Sequence, residues 1–218
     1  QNQEIALKAS NKAATNPMKL NVKYMLLFYT VKNGVETFWK SSEVTVSNTD
    51  FSIILSPGLT YNWYAYSYNE TSSLPLPTDL NNPTIPSKTN APLLYTKGTL
   101  MTDETDQRVN LTFEHKLAKI EMVVNGQYLF ANDLPVLDVD FNNLKLTTST
   151  FNMKNGTLSN DVINTETITN QKINFETTNG QSAYGIKRST NQLYTSDVNP
   201  TISIKIKAIT ITKSGEQK

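Results

Sequence analysis

A junction between two alternating runs, residues 109–124, constrains this chain more than any other stretch of its sequence. Apolar residues occur at every second position on each side of a short polar segment, residues 114–116. Period-2 alternation is typical of strands with one buried face, and the polar segment marks the place where the chain turns or changes sheets. The stretch therefore predicts two β units that meet at one connection.

Length and composition allow two β architectures. At 218 residues the chain fits either one large sandwich or two smaller ones of about a hundred residues each. Asn-Gly turn signals of one kind occur at residues 33–34, 125–126 and 155–156. The composition shifts before residue 107, and alternation resumes at Val109. We therefore predict an all-β protein with two antiparallel β-sandwich domains in tandem, residues 1–106 and 107–218, and little helix.

Charge and the rarer residue types exclude several classes of function. Charged residues make up 18% of the sequence and nearly cancel at a formal net charge of +1, so no basic field favours nucleic acid or an anionic membrane. Cysteine is missing, and His115 is the single histidine. A thiol nucleophile and a His-based zinc site are therefore excluded. We predict a protein that is not an enzyme and carries no cofactor.

The remaining candidates for chemistry are one histidine and three carboxylates. His115 lies in the polar segment of the junction, where a structural hydrogen bond is the favoured role. Asp133, Asp138 and Asp140 form the densest carboxylate group, and the last two share one strand face. Their oxygens suit Ca²⁺, but the dense Asp/Asn/Gly loop of a dedicated site is missing. A solvated strand end is the favoured interpretation, and no metal ligand is predicted.

An aromatic strand, residues 60–68, is the candidate for a ligand platform. Its relevant rings are Trp63, Tyr64, Tyr66 and Tyr68. They either stack against a sugar or a partner, or they pack in the core of a sandwich, and packing is favoured. The Pro-rich segment at residues 70–92 predicts a long surface loop. That loop either carries recognition or is an ordered connection.

The cleanest alternation in the chain lies at its carboxyl-terminal end, residues 201–212. Its large apolar positions are Ile202, Ile204, Ile206, Ile209 and Ile211. The first three share a face with Ala208, whereas the last two fall on the opposite face, so the register of burial slips at Ala208. A bulge, a bend or a change of partner sheet is predicted there.

Three stretches together resemble the fimbrillin family of Bacteroidetes surface proteins. They are the junction with its F-x-H-K-L-A-K-I core, the segment FNMKNGTL at residues 151–158, and the segment LTYNWYAYS at residues 59–67. The last of these is similar to the strand that ends the first half of that family's chains. The resemblance implies two tandem β-sandwiches of transthyretin-like topology.

The resemblance also implies a role at the cell surface. Members are exported as lipoproteins and form the stalk, tip or anchor of a pilus, so the expected location is extracellular, on a fimbria attached to the outer membrane. The expected partners are other fimbrial subunits in a homo- or heteropolymer, with no cofactor and no reaction. Membrane contact is expected only through a lipid anchor, for which this sequence has no cysteine. A start without a signal-peptide core is expected of a mature form or a fragment.

The resemblance gives the carboxyl-terminal strand a candidate role in assembly. Such a strand can fill a groove of the next subunit, with main-chain hydrogen bonds for affinity and alternate apolar side chains in pockets. The five isoleucines are then the candidate donor-strand residues, although an ordinary intramolecular strand with a bulge is the favoured interpretation. The predicted function is a fimbrial subunit that assembles by strand exchange. The alternative is a monomeric surface module that binds a glycan or a host protein through the aromatic strand and the Pro-rich loop.

Overall fold

Strands dominate the computed structural model, which describes residues 3–11, 17–103, 107–177 and 185–213. Within these ranges the one helix is a short 3₁₀ turn at Gln127–Leu129. No helix in the described part of the chain has the length and apolarity to cross a membrane. The predicted all-β class is confirmed, whereas the transthyretin-like topology and the division into two tandem domains stay predictions.

Among the described residues, the chain up to the central junction forms eight strands. They are β1 (Gln3–Asn11), β2 (Lys23–Lys32), β3 (Val35–Thr45), β4 (Phe51–Leu55), β5 (Thr60–Ser67), β6 (Thr84–Pro86), β7 (Leu94–Met101) and β8 (Gln107–His115). Seven of them form one sheet in the order β3-β2-β5-β7-β8-β1-β4. β1 and β8 are parallel, and the other neighbours are antiparallel.

The seven-stranded sheet folds over its own apolar face. β7 and β8 pair at two positions near the start of β7, so the sheet is narrow at this place. Side chains from its two end strands, such as Val44 of β3 and Leu55 of β4, lie in one buried cluster, which we call the first core. The first core therefore collects side chains from strands that lie far apart in the order of this sheet.

Turn chemistry fixes the first hairpin. Asn33 and Gly34 have positive φ values of 52° and 78°, as a two-residue type I′ turn requires, and they join β2 to β3. The other two Asn-Gly pairs differ from this prediction. Residues 125–126 end a strand and lead into the 3₁₀ helix, while the turn at residues 155–156 is longer and has positive φ only at Gly156. An Asn-Gly pair therefore marks a change of direction here without fixing the turn type.

Beyond the junction, the described residues form eight further strands. They are β9 (Ala118–Ile120), β10 (Val123–Asn125), β11 (Ala131–Asn152), β12 (Thr157–Ile168), β13 (Gln171–Lys172), β14 (Ile186–Arg188), β15 (Leu193–Thr195) and β16 (Ile202–Lys213). The 22-residue β11 is central: β12 and β13 pair along one of its edges, and β16 and β6 pair along the other. Two short ladders, β9 with β15 and β10 with β14, complete the second half.

A second core lies against one face of β11. It contains Val139, Phe141, Leu144 and Leu146 of that strand, together with Ile168 of β12. Val139 alternates with Phe141 and Leu144 with Leu146, and the register irregularity between Phe141 and Asn143 keeps the two pairs on one buried face. Each half of the chain therefore has a core of its own.

A third buried cluster, which we call the shared cluster, joins the halves. The hairpin of β11 and β12 projects onto the outer face of the first sheet, where Phe151 and Met153 pack with Tyr64 and Tyr95. The rings of Tyr95 and Phe151 meet edge to face with their centres 4.8 Å apart. The two halves thus depend on each other for part of their burial.

The central junction consists of alternating strands on both sides of a polar connection, as predicted. β8, however, belongs to the first sheet, where Leu111 and Phe113 enter the first core. Strand pairing therefore passes from one half to the other between His115 and Ala118, later in the chain than the predicted boundary near Gln107. Residues 104–106, just before that boundary, lie outside the described residues.

Candidate assembly surface

The aromatic strand is β5, and both of its faces are covered. Trp63 lies in the first core, whereas Tyr64, Tyr66 and the neighbouring Tyr68 lie in the shared cluster. All four side chains are buried. They offer no open ring face to a sugar or a partner, which is the arrangement expected if the aromatics pack in the core.

The Pro-rich loop forms the cover of the tyrosine face. Its residues Leu74, Ile85 and Ala91 are buried in the shared cluster. Tyrosine hydroxyls donate hydrogen bonds to its carbonyl groups: Tyr29 to Leu80 at 2.8 Å, Tyr68 to Pro86 at 2.5 Å, and Tyr66 to Pro75. Burial is the main cause that raises the pKa of these three hydroxyls, so they remain protonated donors. The loop is an ordered, packed connection.

An ion pair fixes the hairpin of β11 and β12 to the first sheet. Lys154 in the hairpin turn lies 2.9 Å from Glu36 of β3, and its ammonium lies 4.8 Å from the ring centre of Tyr29. The other oxygen of Glu36 accepts hydrogen bonds from Tyr64 and Asn62, each at 2.6 Å. Burial raises the pKa of the Glu36 carboxyl, but these hydrogen bonds and the Lys154 charge together hold it below its ordinary value. The carboxylate therefore stays charged at the contact between the halves.

The carboxyl-terminal strand β16 pairs within the chain and contains the predicted bulge. It runs antiparallel to β11 over almost its whole length. Between Ile206 and Ala208 the register shifts by one residue, so Lys207 is an extra residue of β16 without a direct cross-strand partner. The prediction of a bulge next to Ala208 is confirmed.

The bulge brings the isoleucines of β16 onto one face. Residues directly opposite each other in an antiparallel pair share a face. Ile206 is opposite Val139 before the bulge, and Ile209 is opposite Leu137 after it. The shared set, which we call the isoleucine face, is Ile202, Ile204, Ile206, Ile209 and Ile211. In a regular strand Ile209 and Ile211 would fall on the opposite face, and the bulge that this slip predicted brings them back to the face of Ile206.

The isoleucine face lies on the side of the second core but is only partly covered. Four of its side chains are between 38% and 58% exposed, and Ile206 is the most exposed of them. Within the described part of the chain, β16 pairs with β11 alone, so its outer edge carries no strand. An open edge beside exposed apolar side chains is the arrangement that the addition of a further strand requires.

A buried carboxylate lies beside the bulge. Asp140 of β11 is 3% exposed, and its Oδ2 lies 2.5 Å from the ammonium of Lys207. Its Oδ1 is also buried and has no hydrogen-bond partner among the described residues. The hydrogen bond to Asp140 is the main cause that raises the pKa of Lys207. The expected solvated strand end is therefore wrong for Asp140, which is buried and ion-paired.

The other candidates for chemistry do not form a site. Asp133 pairs with Lys187 at 3.3 Å. The ring of His115 makes no hydrogen bond to the described residues, in contrast to its expected role, while partial burial and the charge of Lys119 lower its pKa. In the described ranges, no group of three or more histidine or acidic side chains could hold a metal ion.

An exposed apolar loop lies between β10 and β11, and the alternation pattern does not single it out. The exposed fractions of Tyr128, Leu129 and Phe130 are 89%, 51% and 81%. Phe130 has a φ of 51°, in the left-handed region that a bulky side chain rarely adopts. The carbonyl of Gly126 accepts hydrogen bonds from the N–H groups of Leu129 at 2.9 Å and Ala131 at 3.2 Å, which closes the loop. The available signal was three consecutive large apolar residues, one position after an Asn-Gly pair.

Several solved structures resemble this fold. A candidate adhesin from Bacteroides thetaiotaomicron VPI-5482 superimposes with a TM-score of 0.55 at 13% identity, over 95% of this chain and 78% of that one. A candidate polysaccharide-binding protein from the same organism gives 0.49 at 14% identity, over 94% and 76%. The fimbrial anchor protein Mfa2 from Porphyromonas gingivalis gives 0.45 at 10% identity, over 94% and 78%. At these identities the first similarity supports a shared fold and nothing further.

The sequence itself gives a more specific result. No curated protein matches it. The fimbrillin-like family, however, matches residues 2–217, a span that includes the junction, the hairpin of β11 and β12, and β16. The chain therefore belongs to the fimbrillin-like family.

Proposed function

We propose that this protein is a structural or adhesive subunit of a bacterial surface fimbria, and that it assembles with other subunits by exchange of β-strands at β16. Membership of the fimbrillin-like family supports a fimbrial or adhesin-like role. The observation that carries the mode of assembly is the open edge of β16 beside the partly exposed isoleucine face. The site of action is then the cell surface, on a fimbria attached to the outer membrane.

A strand from another subunit would gain stability in two ways at this edge. Its main chain would pair with the backbone N–H and C=O groups of β16, and its apolar side chains would cover the isoleucines. Burying an isoleucine completely contributes about 1.5 to 3 kcal/mol, so covering four half-exposed side chains contributes roughly 3 to 5 kcal/mol. This contribution adds to the new backbone hydrogen bonds.

In strand exchange β16 must leave β11, whereas in strand addition it stays paired with β11. When β16 leaves β11, the second-core residues Val139 and Phe141 lose the strand beside them. An identical strand from a second subunit restores the same contacts, so exchange costs little at equilibrium. The barrier to leaving β11 then controls the rate of assembly.

Sedimentation velocity over a range of protein concentrations tests the proposal. We expect the wild type to form oligomers that grow with concentration. Ile206→Lys should reduce association and keep the fold, because this side chain is already exposed. Val198→Lys, at an exposed apolar residue outside β16, is the matched control and should associate like the wild type. A wild type that stays monomeric at every concentration would overturn assembly through β16.

One observation favours a second function, the binding of a glycan or a host protein by the monomer. The loop at residues 127–130 holds the rings of Tyr128 and Phe130 in solvent, unlike the buried rings of β5. Aromatic rings on a closed loop supply contact area at a low entropic cost. A glycan array and a panel of purified host matrix proteins test this function with the Tyr128→Ser/Phe130→Ser variant. Binding that survives in the variant would exclude the loop as the site.

A further inference from the structure

The Glu36 carboxylate contacts an amine and an amide at the same time. One of its oxygens lies 2.9 Å from the ammonium of Lys154, and the other accepts a hydrogen bond from the side-chain amide of Asn62 at 2.6 Å. Lys154 lies in the turn between β11 and β12, whereas Asn62 lies in β5. One carboxylate therefore holds a primary amine from one half of the chain beside an amide from the other half.

The amide of Asn62 is oriented at both of its polar atoms. A carboxylate can only accept hydrogen bonds, so the contact with Glu36 fixes the amide nitrogen on that side. The amide oxygen accepts a hydrogen bond from the hydroxyl of Thr99 at 2.7 Å, and Thr99 is the direct cross-strand partner of Asn62 on β7. A donor at this oxygen stabilises the negative charge that develops there when a nucleophile adds to the amide carbon.

Neighbouring side chains hold the amine and the carboxylate in place. Tyr64 donates a second hydrogen bond, at 2.6 Å, to the amide-facing oxygen of Glu36. The ammonium of Lys154 lies 4.8 Å from the ring centre of Tyr29, and the backbone carbonyl of Lys154 accepts a hydrogen bond from Lys97 at 3.0 Å. Groups that are held side by side in this way react as if at a very high local concentration.

We propose that Lys154 and Asn62 form an isopeptide bond, with Glu36 as the proton carrier and Thr99 as the oxyanion donor. Glu36 takes a proton from the Lys154 ammonium, and the freed electron pair of Nζ attacks the amide carbon Cγ of Asn62. A bond forms between Nζ and Cγ, while an electron pair of the carbonyl moves onto Oδ1, where the Thr99 hydroxyl stabilises it.

Collapse of this intermediate releases the amide nitrogen. The electron pair on Oδ1 re-forms the carbonyl, and the bond between Cγ and Nδ2 breaks with its electron pair on nitrogen. Glu36 passes two protons in turn from Nζ to Nδ2, so the nitrogen leaves as ammonium and Glu36 is again a carboxylate. Atoms and charge balance without a further reactant. The ion pair and hydrogen bonds of the structure belong to the chain before the bond forms.

The isopeptide bond links the two halves of the chain covalently. It joins β5 to the hairpin of β11 and β12, beside the shared cluster that already connects them. The sequence has no cysteine, so a disulfide is not available for this purpose. The bond lies within one chain and does not depend on the proposed strand exchange.

Mass spectrometry of the purified wild type, incubated at neutral pH, tests the proposal. The intact chain should be lighter than its sequence by one ammonia. A trypsin digest should contain a branched peptide that joins the segment with Asn62 to the segment with Lys154, and trypsin should not cleave after Lys154. An intact mass equal to that of the sequence, or a digest without the branched peptide, would overturn the proposal.

Lys154→Arg separates the covalent bond from the ion pair. Arginine keeps a positive charge beside Glu36, but its guanidinium stays protonated and is no nucleophile. This variant should keep the full mass and give no branched peptide. A cyclic imide at an Asn-Gly pair also loses ammonia, so a mass loss that is unchanged in Lys154→Arg would overturn the assignment to Lys154.

The rate at which the branched peptide accumulates tests the other two roles. Glu36→Gln cannot carry the proton and should slow the reaction about a hundredfold. Thr99→Val removes the donor at Oδ1 and should slow it about tenfold, and its exposed position makes it the safer variant for folding. Lys88→Arg is the matched control, since Lys88 forms a similar ion pair with Glu70 over the ring of Tyr68, and it should leave the rate unchanged. Wild-type rates in the first two variants would overturn the assigned roles.

Discussion

The Lys154 ammonium lies 2.9 Å from the Glu36 carboxylate, and this contact joins the hairpin of β11 and β12 to the other half of the chain. Lys154→Met should lower the free energy of unfolding by about 1 to 3 kcal/mol, because a partly buried carboxylate loses a charged hydrogen-bond partner. Urea unfolding measures the change. Lys145→Met, at an exposed position of β11, is the control and should change stability little.

The pH dependence of this contact follows from Glu36. Its pKa in the folded chain is below the ordinary value of 4.5, so the unfolded chain binds the proton first as the pH falls. The stability that the carboxylate contributes is complete above about pH 4.5 and is lost as the pH falls through the folded pKa. The difference between wild type and Lys154→Met should shrink over this interval. A difference that stays constant down to about pH 3 would show that Lys154 acts only through its packing on Tyr29.

Gly98 in β7 leaves room for the indole of Trp63. A Cβ at Gly98 would lie 2.4 Å from Cζ2 and 2.8 Å from Cε2 of that ring. Gly98→Ala should therefore lower the free energy of unfolding by about 1 to 3 kcal/mol through overpacking. Thermal unfolding of Gly98→Ala with and without Trp63→Phe checks the cause, since the smaller ring should recover part of the loss. Simply additive effects of the two substitutions would contradict the proposed clash.

The backbone of Phe130 is strained, because its φ of 51° is a left-handed conformation that costs a bulky residue free energy. Phe130→Asn should raise the free energy of unfolding by about 1 kcal/mol, since asparagine tolerates this region and the lost side chain is exposed. Phe130→Ala keeps a Cβ and should give little gain. Equal gains for Asn and Ala in chemical unfolding would show that exposure of the ring, and not the backbone, is the cause.

His115 should make stability depend on pH in the same direction as Glu36, but at a higher pH. Its folded pKa is below the ordinary 6.5, so the unfolded chain takes up the proton first as the pH falls. The contribution of the neutral ring is complete above about pH 6.5 and is lost below it. His115→Gln should remove this decline, and it should change stability near neutral pH by less than about 1 kcal/mol. Loss of metal content or of a measured catalytic rate in the variant would show that His115 is a ligand or a base.

Deletion of residues 201–218 distinguishes a structural strand from a donor strand. Because β16 pairs with β11 beside the second core, we expect the truncated chain to lose much of its thermal stability. A donor strand would be dispensable for the fold, so the truncated chain would keep its melting temperature and lose self-association. A truncated chain that stays folded and assembles as before would contradict both roles.

Local patterns predict the parts of this fold that depend on neighbouring residues. Alternation identifies β8 and β16, because a strand with one buried face leaves a periodic trace in the sequence. Asn33-Gly34 identifies the first hairpin, because this pair suits a two-residue turn. β12 has no such trace: its sequence is rich in Thr and Asn, most of its residues are exposed, and it becomes a strand by pairing with β11. β7 is continuous through Gly98, because the missing side chain at that position admits Trp63.

The candidate assembly surface could be predicted only in part for the same reason. The change in alternation at Ala208 identifies the bulge, because the positions of five isoleucines within one strand are enough to reveal it. The burial of Asp140 and its contact with Lys207 depend on how two distant segments align, and single-sequence patterns do not contain that alignment. The contact of Lys154 with Glu36 is equally non-local, since it crosses from one half of the chain to the other.

The length of β11 has a mechanical consequence. Its 22 residues correspond to about 70 Å of extended backbone, which runs from the second core into the shared cluster. The hydrogen bonds to β12 and β16 lie across this strand, so tension along β11 loads many of them in shear at once instead of opening them one after another. A filament subunit pulled along this axis would resist extension through a single continuous strand, and its two halves would be held in line without a disulfide.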